Sequence, residues 1–281
     1  MNQEGVKGMV GLWLVVLTAV GIYLIVRIKK SKFIETSNLK KESLKVWDDG
    51  EVLVYSSGPV YSKHFKGAFL PASFLVEYQG KLVYIDPFGL GEADVASFIL
   101  ITHCHPDHYS KNDIERIYDE GTIMVCPKNV SKKLQGFHVM PILPGETFNI
   151  GDMKIEAVEA YTKGLPTHPK RDRNVGYVLT MGNFTLYHAG DTDYVDEISK
   201  VKNVTLALVP IAGGKRTMKT GEAVDLINQM KPRAVMPMHY IMGRGEEKKF
   251  ADGIDSGIEV ILYEEFKIKS IDRPSLEKIH I

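Results

Sequence analysis

Six consecutive positions, His103-Cys104-His105-Pro106-Asp107-His108, carry three imidazoles and a carboxylate. Imidazole nitrogen is the commonest side-chain ligand for zinc and related ions, and Asp adds a harder oxygen donor. The run follows the apolar stretch Phe98-Ile99-Leu100-Ile101, so it stands at the end of a buried strand. An extended Thr102–His105 segment directs His103 and His105 to one side, because alternate strand residues share a face. A turn at Pro106 then aims Asp107 and His108 at a second point nearby. That geometry suits two metal ions held side by side. A solvated surface cluster of histidines is the bland alternative, and the Asp and third His placed directly behind a strand argue against it.

The pattern His-x-His-x-Asp-His resembles the signature of the metallo-β-lactamase superfamily, and two later segments extend the likeness. Tyr187-His188-Ala189-Gly190-Asp191-Thr192-Asp193 follows a strand-like run and resembles the superfamily's Gly-Asp-Thr motif. Pro237-Met238-His239-Tyr240 follows Ala234-Val235-Met236 and resembles the segment that supplies a last His ligand. The resemblance implies a binuclear arrangement. His103, His105 and a third His hold one metal, Asp107, His108 and His239 hold the other, and Asp191 bridges them.

Two residues compete for the third His. His138, in Gly136-Phe137-His138-Val139-Met140, reads as strand entry. His168 lies in the loop Thr167-His168-Pro169-Lys170 between two strands, where the family places this ligand, and is preferred. Some relatives put a His directly after the preceding strand, where this chain has Tyr161-Thr162. His188 is expected to pack rather than ligate. Asp86, at the end of Val83-Tyr84-Ile85, resembles a family Asp that supports the metal loop, and Cys104 should point away from the ligands by strand alternation.

In such a centre each ion lowers the pKa of a bound water, and two together stabilise a bridging hydroxide near neutral pH. The implied reaction is hydrolysis, with Asp107 as the catalytic residue that orients the nucleophile and passes a proton to the leaving group. The cofactors implied are two divalent ions, with zinc preferred and manganese or iron open, because N/O ligand sets accept all three. The segments Pro210–Met218, Glu222-Ala223 and Pro237–Tyr240 resemble a branch containing L-ascorbate-6-phosphate lactonase-like proteins and N-acyl-phosphatidylethanolamine phospholipase D. A lactone, phosphoester or phosphodiester, small or lipid-like, is therefore the expected substrate. Lys215 and Arg216 are either ligands for its phosphate or carboxylate or ordinary solvated loop residues. A non-catalytic sensor of the same fold is an alternative function. An iron-flavin redox member is less favoured, because those relatives carry Glu where this chain has His105.

The elements that must position these residues call for a large domain. With 281 residues, 44% hydrophobic and 25% charged, the chain is long enough for one sizeable core. Zero formal net charge gives no sign of a nucleic-acid partner. Two cysteines, one inside the His motif, make no disulfide framework. Strands are expected at Val52–Tyr55, Ser73–Tyr78 and Lys81–Ile85, with Gln79-Gly80 as a tight hairpin turn. Helices are expected at Asn112–Tyr118, capped by Asn112, and at Thr220–Met230, stopped by Lys231-Pro232. The pattern is mixed; the resemblance makes it an α+β, four-layer αββα sandwich.

Ahead of that domain, Met9–Val26 contains no charged residue and has about the length needed to cross a hydrocarbon core. A cleaved signal peptide is the competitor, but its small-x-small site, Ala19-Val20-Gly21, falls mid-run. An uncleaved single-pass anchor over residues 1–30 is the reading adopted, followed by a linker over 31–50 and the hydrolase domain over 51–281. Arg27, Lys29, Lys30 and Lys32 crowd its C-terminal flank, which holds the domain on the cytoplasmic face of the cell membrane. Oligomeric state is not readable.

Overall fold

A computed structural model describes residues 44–62, 67–163, 167–214 and 216–263. The expected membrane anchor lies outside the described residues, and among those described no helix is long and apolar enough to cross a membrane.

The chain opens with Leu44–Asp48 (β1) and Val52–Ser56 (β2), then Val60–Ser62 (β3) and Gly67–Leu70 (β4). Phe74–Tyr78 (β5), Lys81–Ile85 (β6), Phe98–Leu100 (β7), the helix Lys111–Ile117 (α1), Ile123–Cys126 (β8), the short helix Lys128–Ser131 (α2) and Val139–Pro141 (β9) follow. The second half comprises Thr147–Ile150 (β10), Met153–Glu159 (β11), Val175–Met181 (β12), Phe184–His188 (β13) and Leu206–Pro210 (β14). It closes with Thr220–Met230 (α3), Ala234–Met238 (β15), Tyr240–Ile241 (β16), Glu246–Gly253 (α4) and Glu259–Val260 (β17). One seven-stranded sheet runs β1-β2-β5-β6-β7-β8-β9, a second β10-β11-β12-β13-β14-β15-β17, and a small third sheet β16-β4-β3.

Alternation along the strands creates the layers. In β7 Phe98 and Leu100 join the main core, while Ile99 and the following Ile101 face a second cluster with Ile114 and Ile117 of α1. β6 divides the same way, Val83 and Ile85 inward and Tyr84 outward. On the second sheet every residue of β14 and β15 is buried, as expected for strands covered on both faces. Ala223, Leu226, Ile227 and Met230 place α3 against that sheet, which completes the αββα order. Strands β6 to β9 pair in parallel, with α1 as the crossover from β7 to β8. This parallel half makes the class α/β rather than the expected α+β.

The Gln79-Gly80 hairpin is present, both residues having positive φ (49° and 71°), the twist that a two-residue connection requires. Helix α3 has the expected bounds and ends on Lys231 in the left-handed conformation. Helix α1 starts one residue early, and its cap is Ser110, whose side chain accepts from Asp113 N, not Asn112. The expected linker gives way at Leu44. β1 pairs antiparallel with β2, and Val46 and Trp47 are buried, Trp47 tilted against Phe184 at 5.5 Å. The flanking Lys45, Asp48 and Asp49 make that strand read as polar, while its buried side chains are Val46 and Trp47, with Leu44 partly buried against the same core.

Candidate metal centre

The site lies where the strand ends of both sheets meet. From the first sheet, β6 delivers Asp86 and β7 runs on through Ile101 into Thr102–His108. His105 starts a turn in which His108 N and Tyr109 N both donate to its carbonyl, at 3.0 and 2.8 Å, so the chain reverses at Pro106 as the sequence requires. From the second sheet, the β11–β12 connection brings His168, the loop after β13 brings Asp191, and the residue after β15 is His239.

The backbone at this junction is tightly specified. Gly190 has φ +64°, and a Cβ there would lie 2.9 Å from the Val175 carbonyl and 3.2 Å from Thr102 Cβ. Only glycine fits both demands. Asp86 and His239 also sit at positive φ, 47° and 54°, a strained conformation held at the two edges of the site. His168 is pinned to Thr162: its N donates to Thr162 Oγ1 at 3.3 Å and its carbonyl accepts from Thr162 N at 2.9 Å.

Seven side chains converge. His103 Nε2, His105 Nδ1 and His168 Nε2 face one another, with His105 Nδ1 at 3.1 Å from His103 and 2.9 Å from His168. Asp191 Oδ2 lies 3.4 Å from His168 Nε2 and 3.8 Å from His103 Nε2. Beside this group, His239 Nε2 stands 3.1 Å from Asp107 Oδ2, and His108 Nε2 is 3.9 Å from the same oxygen. Asp191 reaches here too, through Oδ1 at 3.3 Å from His108 and Oδ2 at 3.5 Å from His239. Two donor groups thus form, His103/His105/His168/Asp191 and Asp107/His108/His239, each with its ligand atoms within 4.8 Å of one another. His138 is exposed and stands outside both.

The donor set fits metal. Metal–ligand bonds of about 2.0–2.2 Å place neighbouring tetrahedral ligands about 3.3–3.6 Å apart, the middle of the separations found here. Buried His108 Nε2 and Asp191 Oδ1 have no hydrogen-bond partner among the described residues, although both point into the cluster. Polar atoms so placed are costly unless a cation sits among them.

The outer nitrogens explain why the inner ones point inward. His108 Nδ1 donates to Asp86 Oδ2 at 2.7 Å. Thr102 Oγ1 donates to the same oxygen at 2.6 Å and can then accept from His103 Nδ1 at 2.9 Å. Thr102 N donates to Asp86 Oδ1 at 2.7 Å. Each relay engages Nδ1 and turns Nε2 towards the centre. Thr102 is the residue that sequence reasoning passed over; its place between Asp86 and the first His is its signal. His188 is fully buried, with Nε2 at 2.9 Å from the Ala72 carbonyl and its ring edge-on to Phe74, and Cys104 packs towards the α1 side.

Charge divides the cluster. Burial, reinforced by neighbouring imidazoles, pushes His103 well below its ordinary pKa; burial also lowers His105, and takes His168 down to about 4. These rings are neutral at neutral pH. Burial opposes ionisation of Asp107 and Asp191, but facing imidazoles outweigh it and hold both carboxyls well below the usual range. Burial likewise disfavours a charged His108, yet Asp191, Asp86 and Asp107 outweigh it and raise its pKa well above ordinary. The same field that favours a proton there favours a cation.

Next to His239 a cavity of about 610 Å³ opens, walled by Phe69, Ile211 and Ile241 with Arg216 and Arg244. Phe69 also meets the His239 ring edge-on at 5.0 Å.

With this geometry in place, the sequence matches the model of the beta-lactamase superfamily domain over residues 69–239, from β4 to the last converging imidazole. The chain belongs to the metallo-β-lactamase superfamily. Within it the chain falls among the UPF0173 metal-dependent hydrolases. A UPF0173 protein of Pyrococcus furiosus is 32% identical over 183 residues, covering 60% of this chain and 80% of its own. A UPF0173 metal-dependent hydrolase of Nanoarchaeum equitans is 30% identical over 176 residues, with the same coverage of both chains. Among solved structures, a Parabacteroides distasonis protein assigned as a metal-dependent hydrolase superposes with a TM-score of 0.64 at 27% identity, covering 82% of this chain and 98% of its own. The fold agrees with that of its relatives, and its His/Asp clusters are able to bind metal.

Proposed function

We propose that this metal-dependent hydrolase is a binuclear enzyme, tethered at the membrane, that cleaves a lactone, phosphoester or phosphodiester. One observation carries the binuclear reading: the two oxygens of Asp191 face both donor groups at 3.3–3.8 Å, so one carboxylate serves two centres. His103, His105 and His168 would hold one ion, Asp107, His108 and His239 the other, with Asp191 shared. Zinc is the favoured metal, since nitrogen donors predominate, and manganese or iron suits the same set.

Divalent ions there supply Lewis acidity and lower the pKa of water. The chain's own residues do the rest. Asp107 stays ionised and is 26% exposed, more open than Asp191 or the His rings it meets, so its free oxygen is placed to accept a hydrogen bond from an attacking water and orient it. Asp86 and Thr102 hold His108 and His103 in their working orientations. The cavity beside His239 receives the substrate, and its volume is within the range of small-molecule sites.

Three likenesses support the substrate class: Pro210–Met218, Glu222-Ala223 and Pro237–Tyr240 resemble the lactonase and phospholipase D branch. The uncharged run Met9–Val26 supports the tether, and the basic flank after it supports a cytoplasmic domain. The test is a screen of the metal-loaded full chain against lactones, phosphodiesters and N-acyl phospholipids, with metal content measured. About two ions per chain and hydrolysis of a panel member are expected. An Asp107→Ala variant that kept full hydrolysis would sink the binuclear mechanism. For topology, a C-terminal reporter active only outside the cytoplasm would overturn the orientation.

A further inference from the structure

His168 and Asp191 come from different loops, yet His168 Nε2 and Asp191 Oδ2 stand 3.4 Å apart. The sheet does not hold that spacing by itself. Strand register ends at Glu159 with Val175 between β11 and β12, and at Tyr177 with His188 between β12 and β13. Both loops have therefore left the paired strands before either side chain is reached.

Beyond the end of the sheet, Tyr161 joins the two loops. Its N donates to Thr192 Oγ1 at 3.2 Å, and its carbonyl accepts from Asp193 N at 3.0 Å. Those two partners directly follow Asp191 in the chain. Farther along the same loop, Glu197 Oε2 accepts from the Tyr161 hydroxyl at 3.0 Å. One residue thus grips the Asp191 loop at two points, with its main chain and with its side chain.

The grip reaches His168 from both sides. Ahead of it, Thr162, the neighbour of Tyr161, exchanges bonds with the His168 N and carbonyl. Behind it, Lys170 pairs with Glu197 and lies over the Tyr161 ring, 4.7 Å from the centroid. Asp193 adds a cross-tie, its Oδ2 accepting from Lys163 N at 2.6 Å. A single exposed ion pair contributes little to stability, but here three side chains constrain one another and two loops with them. A ligand displaced by a fraction of an ångström lowers metal affinity, even where stability hardly changes.

We propose that Tyr161 is a positioning residue that holds the His168 loop against the Asp191 loop and so fixes the spacing of the imidazole half of the metal centre. Its hydroxyl is engaged by Glu197, so it acts through the loops and not as a ligand. This inference rests on the ligand roles given to His168 and Asp191 under the proposed function.

The test titrates metal-free full-length protein with cobalt(II), reading the affinity and absorption of each half, with His168→Ala marking the imidazole half. Tyr161→Phe removes the hydroxyl alone. It should weaken cobalt binding in that half about threefold and shift its absorption, leaving the other half unchanged. Glu197→Ala should cost about tenfold, and the double variant no more than Glu197→Ala by itself, because both changes open the same tie. Lys154→Met breaks a similarly exposed ion pair on β11, with Glu156, and as the control should change neither affinity nor absorption. The metal-free Tyr161→Phe protein should melt at the wild-type temperature. Wild-type cobalt affinity and absorption in both Tyr161→Phe and Glu197→Ala, while His168→Ala loses one ion, overturn the proposal. A lower metal-free melting temperature with unchanged cobalt binding overturns it too, since the tie is then structural only. Cobalt binding unmoved even by His168→Ala removes His168 from the ligand set, and the positioning role falls with that reading.

Discussion

Where His103, His105 and His168 meet, three imidazoles crowd one point, and burial keeps them neutral. Where Asp107, His108 and His239 meet, a carboxylate held well below its usual pKa faces a histidine pushed well above its own. The first group offers lone pairs and, Asp191 apart, no charge. The second offers charge as well as lone pairs. On the binuclear reading a cation would be selected in the first by nitrogen donors at fixed spacing and in the second by field, so the two halves should differ in metal preference and in tolerance to substitution. Asp191 belongs to both, and Asp86 reaches both from behind.

The largest effect should come from Asp191→Ala, which removes the shared carboxylate. Loss of several kcal/mol of Lewis-acid stabilisation corresponds to about a thousandfold in kcat/KM, with metal content falling in both halves together. Retention of one ion at wild-type affinity would show instead that one half stands alone. Next, His168→Ala should cost the imidazole half its ion while the carboxylate half keeps most of its own, measured by metal analysis. The exposed His138→Ala serves as its control, and the opposite pair of results would reassign the ligand. Asp86→Asn should then cost about 10–100-fold in metal affinity or activity, with both halves responding because one carboxylate orients His103 through Thr102 and His108 directly. Smallest is Thr102→Val, about tenfold, confined to the imidazole half and visible as a change in cobalt absorption. An equal effect on both halves would erase the division drawn between them.

Much of this centre was legible because its residues are chemically rare and locally clustered. His103 to His108 lie within one turn, and Asp191 and His239 each follow a strongly apolar strand. His168 was harder to read, for its loop carries no pattern beyond its place between two strands. The relay through Thr102 was invisible, because a hydroxyl's role depends on which carboxylate the fold brings beside it. In the fold, Thr220–Met230 matched its amphipathic pattern, whereas β1 hid its buried residues among charges. The parallel pairing of β6 to β9 is set by long-range register, which no local spacing encodes.

The converging side chains come from two sheets that otherwise touch mainly through apolar contacts. Protein links across this seam include Val175 N donating to the Thr102 carbonyl at 3.1 Å and the Tyr177 hydroxyl, whose one proton lies between the Ile101 and Val125 carbonyls. His103 to His108 are fixed to one side of that seam, and His168, Asp191 and His239 to the other. An ion held by both sides binds the docked pair and not the separated one, so by mass action its occupancy becomes cohesion. At a free concentration a thousandfold above its Kd, that linkage amounts to about 4 kcal/mol, comparable with a disulfide drawn across the two halves of the molecule.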